Sequence, residues 1–185
     1  MIDEILKDAQ QRMDKSIGVL QDNFSKIRTG RASANLLDHV EVDYYGAKVP
    51  IHQAASVSVE DARTITVSPW EKSMVPVVEK AIMTSDLGLN PSTSGQVIRV
   101  MLPPLTEERR RDLVKILRQE AEDTRVAVRN IRRDANQDFK ELVNDKDITE
   151  DEARGAENRI QTLTDEHVGR IDSLLDNKEQ EVMTV

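Results

Sequence analysis

The stretch TEERRRDLVKILRQEAEDTRVAVRNIRRDANQDFKELV, Thr106 to Val143, contains neither proline nor glycine. Those two residues end helices most readily, so an uninterrupted run of this length reads as one long helix. Apolar side chains recur at Leu113, Leu117, Ala121, Val128, Ile131, Ala135, Phe139 and Leu142, with Thr124 in the same series. Their average step of about 3.6 residues stacks them on one face, a seam that needs partner helices to cover it.

A second pattern runs beside the seam. At roughly 100° per residue, Arg111, Arg118, Arg125, Arg129 and Arg132 fall within an arc of about 60°. Between Arg109 and Arg133 the basic residues are eight arginines and Lys115. Arginine offers a planar donor fork suited to phosphate, which makes the stripe a candidate grip on a polyanion. The alternative is a solvated face whose arginines pair with Glu120, Glu122 and Asp123 one turn away. Arg125, Arg129 and Arg132 are expected to resist that pairing, because Asp123 and Asp134 project toward other faces.

The partners for the seam lie on either side in the chain. Ile2 to Thr29 carries Ile2, Ile5 or Leu6, Ala9, Met13, Ile17, Leu20, Phe24 and Ile27 in steps of three and four, and Gly30 is placed to end this helix. After the turn-forming cluster Asn144 to Asp147, Thr149 and Glu152 make a capping box. A third helix follows with Ala153, Ala156, Ile160, Leu163, His167, Ile171 and Leu174 on its seam. Short connections make the three an up-down-up bundle.

Between the first two helices the pattern changes. Alternation at Val40, Val42 and Tyr44, then Lys48 to Ile51, Ala55 to Val59, Thr64 to Val67 and Gln96 to Leu102, predicts strands. Ser73 to Ser85 predicts a short helix with Ser73 as N-cap, and Gly88-Leu89 a glycine C-cap with its apolar clasp. One ring of Tyr44-Tyr45 is expected to face inward, and Trp70 is expected to pack. The fold class is therefore α+β: a bundle formed by 1–30 and 105–185, with a small sandwich-like α+β domain at 31–104 inserted into it. Only two connectors, at Thr29-Gly30-Arg31 and Leu102-Pro103-Pro104-Leu105, join the parts, and a two-strand hinge is expected there.

Composition removes several function classes. The net charge of −8 argues against indiscriminate nucleic-acid binding, but Arg109 to Arg133 holds nine basic and four acidic residues while Asn136 to Val185 holds six basic and fourteen acidic. A basic rib beside an acidic terminus would meet a polyanion in one orientation. Without cysteine there is no disulfide or thiolate metal site, and the scattered His39, His52 and His167 lack metal-ligand spacing. His167 falls on the third seam as a satisfied core or boundary residue. No phosphate-cradling glycine loop or nucleophile motif occurs, so neither enzymatic activity nor a cofactor is expected. The N-terminus has no signal-peptide core and no run reaches membrane-span length, which fits a cytoplasmic, membrane-free monomer.

Three segments, KIRTGRAS at Lys26 to Ser33, DLGLNP through IRVMLPPLTEERR at Asp86 to Arg110, and VAVRNIRRDAN at Val126 to Asn136, resemble the bacterial ribosome recycling factors. The resemblance implies an L-shaped protein that binds the post-termination ribosome. With elongation factor G and GTP hydrolysis by that factor, it would split the ribosome into subunits and release messenger and deacylated transfer RNA. It also implies that the helical domain lies on large-subunit ribosomal RNA while the small domain swings about the hinge. Arg125, Arg129, Arg132 and Arg133 are then the expected RNA contacts, with Arg111 and Arg118 along the same stripe. Arg28 and Arg31, with Arg109 and Arg110, would touch RNA or the translocase. The competing reading is an adaptor, a helical rod whose basic stripe is an internal salt-bridge face. A DNA-binding role is disfavoured by acidity and by the lack of a short recognition helix.

Overall fold

The computed structural model describes residues 1–27 and 29–184. The chain divides into two units, Met1–Arg28 with Glu107–Thr184, and Thr29–Thr106. The first is built from α1 (Ile2–Lys26), α4 (Glu107–Asn144) and α5 (Glu150–Met183), and each of these helices packs on the other two.

Polar contacts between the helices fix their directions. Arg12 reaches Asp134 and Asn23 reaches Glu120, so α1 and α4 run antiparallel. Arg118 meets Glu179, Arg125 meets Asp172 and Arg132 meets Gln161, so α4 and α5 are also antiparallel. Arg159 with Asp3 and His167 with Asp14 make α1 and α5 parallel. This is the up-down-up bundle. Its interior is the expected seam: Leu6, Met13, Ile17 and Leu20 of α1 meet Leu117, Val128 and Phe139 of α4 and Ile160 and Ile171 of α5, all buried. On the third seam Thr164 is buried while Leu163 and Leu174 are only half-buried, a shift of one position within the three-four pattern. Thr164 lies inside at little cost because its hydroxyl donates to the Ile160 carbonyl.

One helix boundary differs from expectation. Helix α1 stops at Lys26, and Ile27 is extended with φ −81° and ψ 121°, so Gly30 does not cap it. Gly30 is left-handed for a different reason: at φ +76° a Cβ here would lie 2.9 Å from Leu105 Cγ, so the two connecting stretches touch within the second unit. The capping box at Thr149 and Glu152 is present as expected.

The second unit contains two antiparallel sheets. The hairpin β1 (Glu41–Tyr44) and β2 (Ala47–Pro50) forms one. The other has the order β3-β4-β6-β5, from β3 (Ala55–Asp61), β4 (Thr64–Pro69), β6 (Val97–Met101) and β5 (Asn90–Ser94). Helix α3 (Val75–Met83) packs on both sheets, and a four-residue helix α2 (Ile51–Ala54) joins them. Val42, Ile65, Val67, Val78, Ile82, Ile98 and Val100 form the core. In β6 the alternation is clean, Ile98 and Val100 inward and Arg99 and Met101 outward.

Three local expectations need correction. Ser73 does not cap α3; it lies in a 3-10 turn (Lys72–Met74), the N-cap is Met74, and Pro76 is accepted in the first turn, where a missing N–H costs nothing. The helix ends at Met83 with Thr84 as cap, so Gly88 (φ +65°) serves the turn into β5 and Leu89 is buried beyond it. Trp70 is 64% exposed and does not pack. Tyr44 is half-buried against the core while Tyr45 is 73% exposed at the hairpin tip with φ +51°, the one ring in and one out that was expected.

Candidate nucleic-acid interface

The arginine stripe of α4 separates into two parts once its partners are known. Arg111 pairs with Glu107 at 2.6 Å, and Arg118 with Glu179 at 2.7 Å. The Glu179 hydrogen bond holds the Arg118 pKa above its ordinary value. Arg125 is only 18% exposed. Its Nε and Nη2 donate to Asp172 at 2.9 and 2.6 Å, and its Nη1 donates to Glu122 at 3.1 Å. Burial works against that charge, yet the bonds from Asp172 and Glu122 outweigh it and the pKa is raised. Arg129 shares Glu122 at 3.5 Å. The expectation that Arg125 and Arg129 lack acidic partners is thus wrong. Asp123 and Asp134 do point elsewhere, but Glu122 lies one turn before Arg125 and two before Arg129, and Asp172 comes across from α5.

Beyond Arg129 the pattern changes. Arg132 donates to the neutral amide of Gln161 at 3.2 Å, and Arg133 reaches only Asn130, at 3.5 Å. Neither makes an ion pair among the described residues. Both line an open cleft of about 610 Å³ between the end of α4 and the start of α5, together with Asn136, Gln137 and Lys140 of α4 and Glu150, Arg154 and Glu157 of α5. A guanidinium without a carboxylate partner at an open, polar cleft keeps its donors available to a phosphate, whereas one already saturated by carboxylates must first give them up.

The other expected contacts are distributed differently. Arg110 sits at the far end of the bundle, where its Nη1 donates to the Met183 carbonyl at 3.0 Å, a cation placed on the last turn of α5. Arg109 is exposed near the start of α4, and Arg31 is exposed in the second unit. Arg28 lies outside the described residues. The stretches expected to form a hinge all fall in the second unit. There Leu102 donates to the Arg63 carbonyl at 2.8 Å, Arg63 donates back to the Leu102 carbonyl, and Ala32 donates to Ala62 at 2.7 Å. Thr29 is buried and Gly30 abuts Leu105.

His167 is buried, with Nε2 at 2.7 Å from Asp14 and Nδ1 at 2.7 Å from the Leu163 carbonyl, the satisfied boundary histidine that was expected. His52 meets Asp38 at 2.6 Å. Among the described residues no group of His, Asp or Glu side chains could hold a metal ion, and no helix is long and apolar enough to cross a membrane. Sequence reasoning missed one feature of the second unit, the joining of Tyr44, Tyr45 and Glu71. Both phenols donate to the Glu71 carboxylate, and the rings meet edge to face with centroids 4.7 Å apart. Glu71 hydrogen bonding raises the pKa of both phenols. The only available signal was a Tyr-Tyr pair and an acid 26 residues beyond it, which no local pattern connects.

A three-helix bundle with a small two-sheet α+β unit inserted after its first helix, carrying unpaired guanidinium groups in one cleft, defines the class: a two-unit α+β protein with a cationic cleft on its helical part. Residues 20–183 match the model of the ribosome recycling factor family. The chain is 61% identical over 185 residues to the ribosome-recycling factor of Hydrogenovibrio crunogenus and 63% identical to that of Thioalkalivibrio sulfidiphilus, with each chain covered in full. Its fold is similar to a solution structure of the ribosome recycling factor, with a TM-score of 0.73 and 43% identity over 100% of this chain and 98% of that one. It is also similar to the T. thermophilus ribosome recycling factor bound, with E. coli elongation factor G, to the E. coli post-termination complex, with a TM-score of 0.64 and 46% identity over 99% of each chain. The chain belongs to the ribosome recycling factor family.

Proposed function

We propose that this protein binds the post-termination ribosome and, with elongation factor G and GTP hydrolysis by that factor, splits it into subunits, releasing messenger and deacylated transfer RNA. It hydrolyses nothing itself. The helical unit anchors on large-subunit ribosomal RNA through the end of α4 that carries Arg132 and Arg133, and the small unit moves about the connectors at Thr29-Gly30-Arg31 and Leu102-Pro103-Pro104-Leu105. The observation carrying this reading is family membership over the full chain together with two guanidinium groups that no carboxylate of the described residues neutralises. Folded RNA is gripped through phosphates and shape, which asks for available cations on a rigid support more than for stacking rings.

Along Arg111 to Arg129 the salt-bridge reading is favoured instead, because each of Arg111, Arg118, Arg125 and Arg129 holds a carboxylate. Those side chains tie α5 to α4 or brace α4 itself. The test is co-sedimentation with purified large subunits, followed by splitting of post-termination ribosomes with elongation factor G and GTP, read by light scattering. Wild-type protein should bind and split. Arg132→Gln should do both poorly, and a protein that sediments free of large subunits would overturn the proposal.

A further inference from the structure

We propose that the α4–α5 cleft closes on RNA backbone from both sides, with Arg154 of α5 and Lys140 of α4 as phosphate contacts in addition to Arg132 and Arg133. This rests on the anchoring role proposed above and assigns it a second wall.

The geometry of the cleft carries the inference. On α4, Arg132, Arg133, Asn136, Gln137 and Lys140 are linked by spacings of three and four (132–136–140 and 133–137–140), so they share one face. On α5, Glu150, Ala153, Arg154, Glu157 and Gln161 do the same, and the antiparallel packing sets the two faces opposite each other. Arg132 to Lys140 spans about 12 Å of helix axis, comparable to the axial rise of about three to four nucleotides of one strand. The side chains along that span are cations and amides, the set that meets phosphate and ribose oxygens.

Charge favours the same ligand. The lining holds four cations and two carboxylates, and neither Glu150 nor Glu157 pairs with any of the four among the described residues. Among the described residues Arg154 pairs only with Asp151, at 3.8 Å, with both side chains well exposed. A long, exposed pair of this kind is worth little and exchanges readily. The cleft thus keeps a net positive charge within a protein of net charge −8, where an anionic strand would otherwise be repelled.

The test measures binding of the full-length protein to purified bacterial large subunits at 50 and 200 mM salt, with variants R132Q, R154Q, K140Q and R118Q, each checked for folding by thermal melting. Arg118 is held by Glu179 outside the cleft, so R118Q controls for loss of one positive charge. R154Q and K140Q are expected to weaken binding about tenfold and to flatten the salt slope by about 0.7 to 0.9 each. If R132Q weakens binding while R154Q matches R118Q, the second wall is overturned and the anchoring role stands; K140Q matching R118Q overturns Lys140 as a contact. If R132Q also matches R118Q, the anchoring role itself fails. A photocrosslinking side chain at Gln137, within the cleft, should give a ribonuclease-sensitive adduct; an adduct only with ribosomal protein would overturn RNA as the occupant.

Discussion

Replacing Arg125 with methionine separates the two jobs an arginine on α4 can have. Methionine keeps most of the apolar stem that packs between α4 and α5 and removes the three hydrogen bonds to Asp172 and Glu122. Hydrogen bonds to charged groups contribute roughly 1.5 to 3 kcal/mol when well buried, but these carboxylates are half exposed and regain water once released. The net loss should be about 1.5 kcal/mol for the whole cluster. For a chain of this size that corresponds to about 3 to 6 °C in melting temperature. Thermal unfolding followed by circular dichroism reads the loss directly. A cycle with Asp172→Asn should return a coupling of at least about 0.5 kcal/mol, since the two residues touch. Affinity for large ribosomal subunits, measured on the same preparations, should stay within about threefold of wild type, less than half a decade. An unchanged melting temperature together with an affinity loss as large as that of Arg132→Gln would refute the division of the stripe into braces and contacts.

Other perturbations test other parts of the molecule. Gly30→Ala forces a left-handed residue and pushes a Cβ into Leu105; it should destabilise the second unit by about 1 to 2 kcal/mol or more, seen as faster proteolysis at the connectors. The Asp14 pKa is lowered from 3.8 chiefly by the His167 hydrogen bond. Its contribution to stability is therefore complete above the unfolded value and is lost as pH falls through the lower folded one, so acid melts of Asp14→Asn should be flatter than wild type below about pH 4. Tyr44 and Tyr45 should ionise above pH 10 in a spectrophotometric titration and move back toward 10 in Glu71→Gln, and identical curves would remove Glu71 as the cause.

How much of this was legible in the chain depends on the range of the interactions involved. The helices were readable because their signal is local: Leu117, Ala121, Val128 and Phe139 repeat with the helical period and are all buried. Strand β5 was not. Its sequence NPSTS has no apolar alternation and includes Pro91, which is tolerated because β5 is an edge strand, mostly exposed and held in the sheet by its pairing with β6. The site followed the same rule. The basic stripe itself was visible, but the acids that neutralise much of it, Asp172 and Glu179, lie 47 and 61 residues away and become neighbours only through the antiparallel return of α5. A search one turn either side of each arginine cannot find them. For the same reason Arg154 drew no attention in the sequence, since its relation to Arg132 exists only across the cleft.

The neutral partner of Arg132 has a kinetic consequence. When a guanidinium leaves an aspartate for a phosphate, the aspartate is stranded beside incoming negative charge, and that repulsion is part of the barrier to docking. Gln161 is an uncharged perch: in the anchoring role proposed above, Arg132 would step from its amide to an RNA oxygen and back without orphaning an anion. If the proposed function holds, arrival at and departure from the ribosome should then be timed by diffusion and long-range attraction rather than by rupture of an internal ion pair.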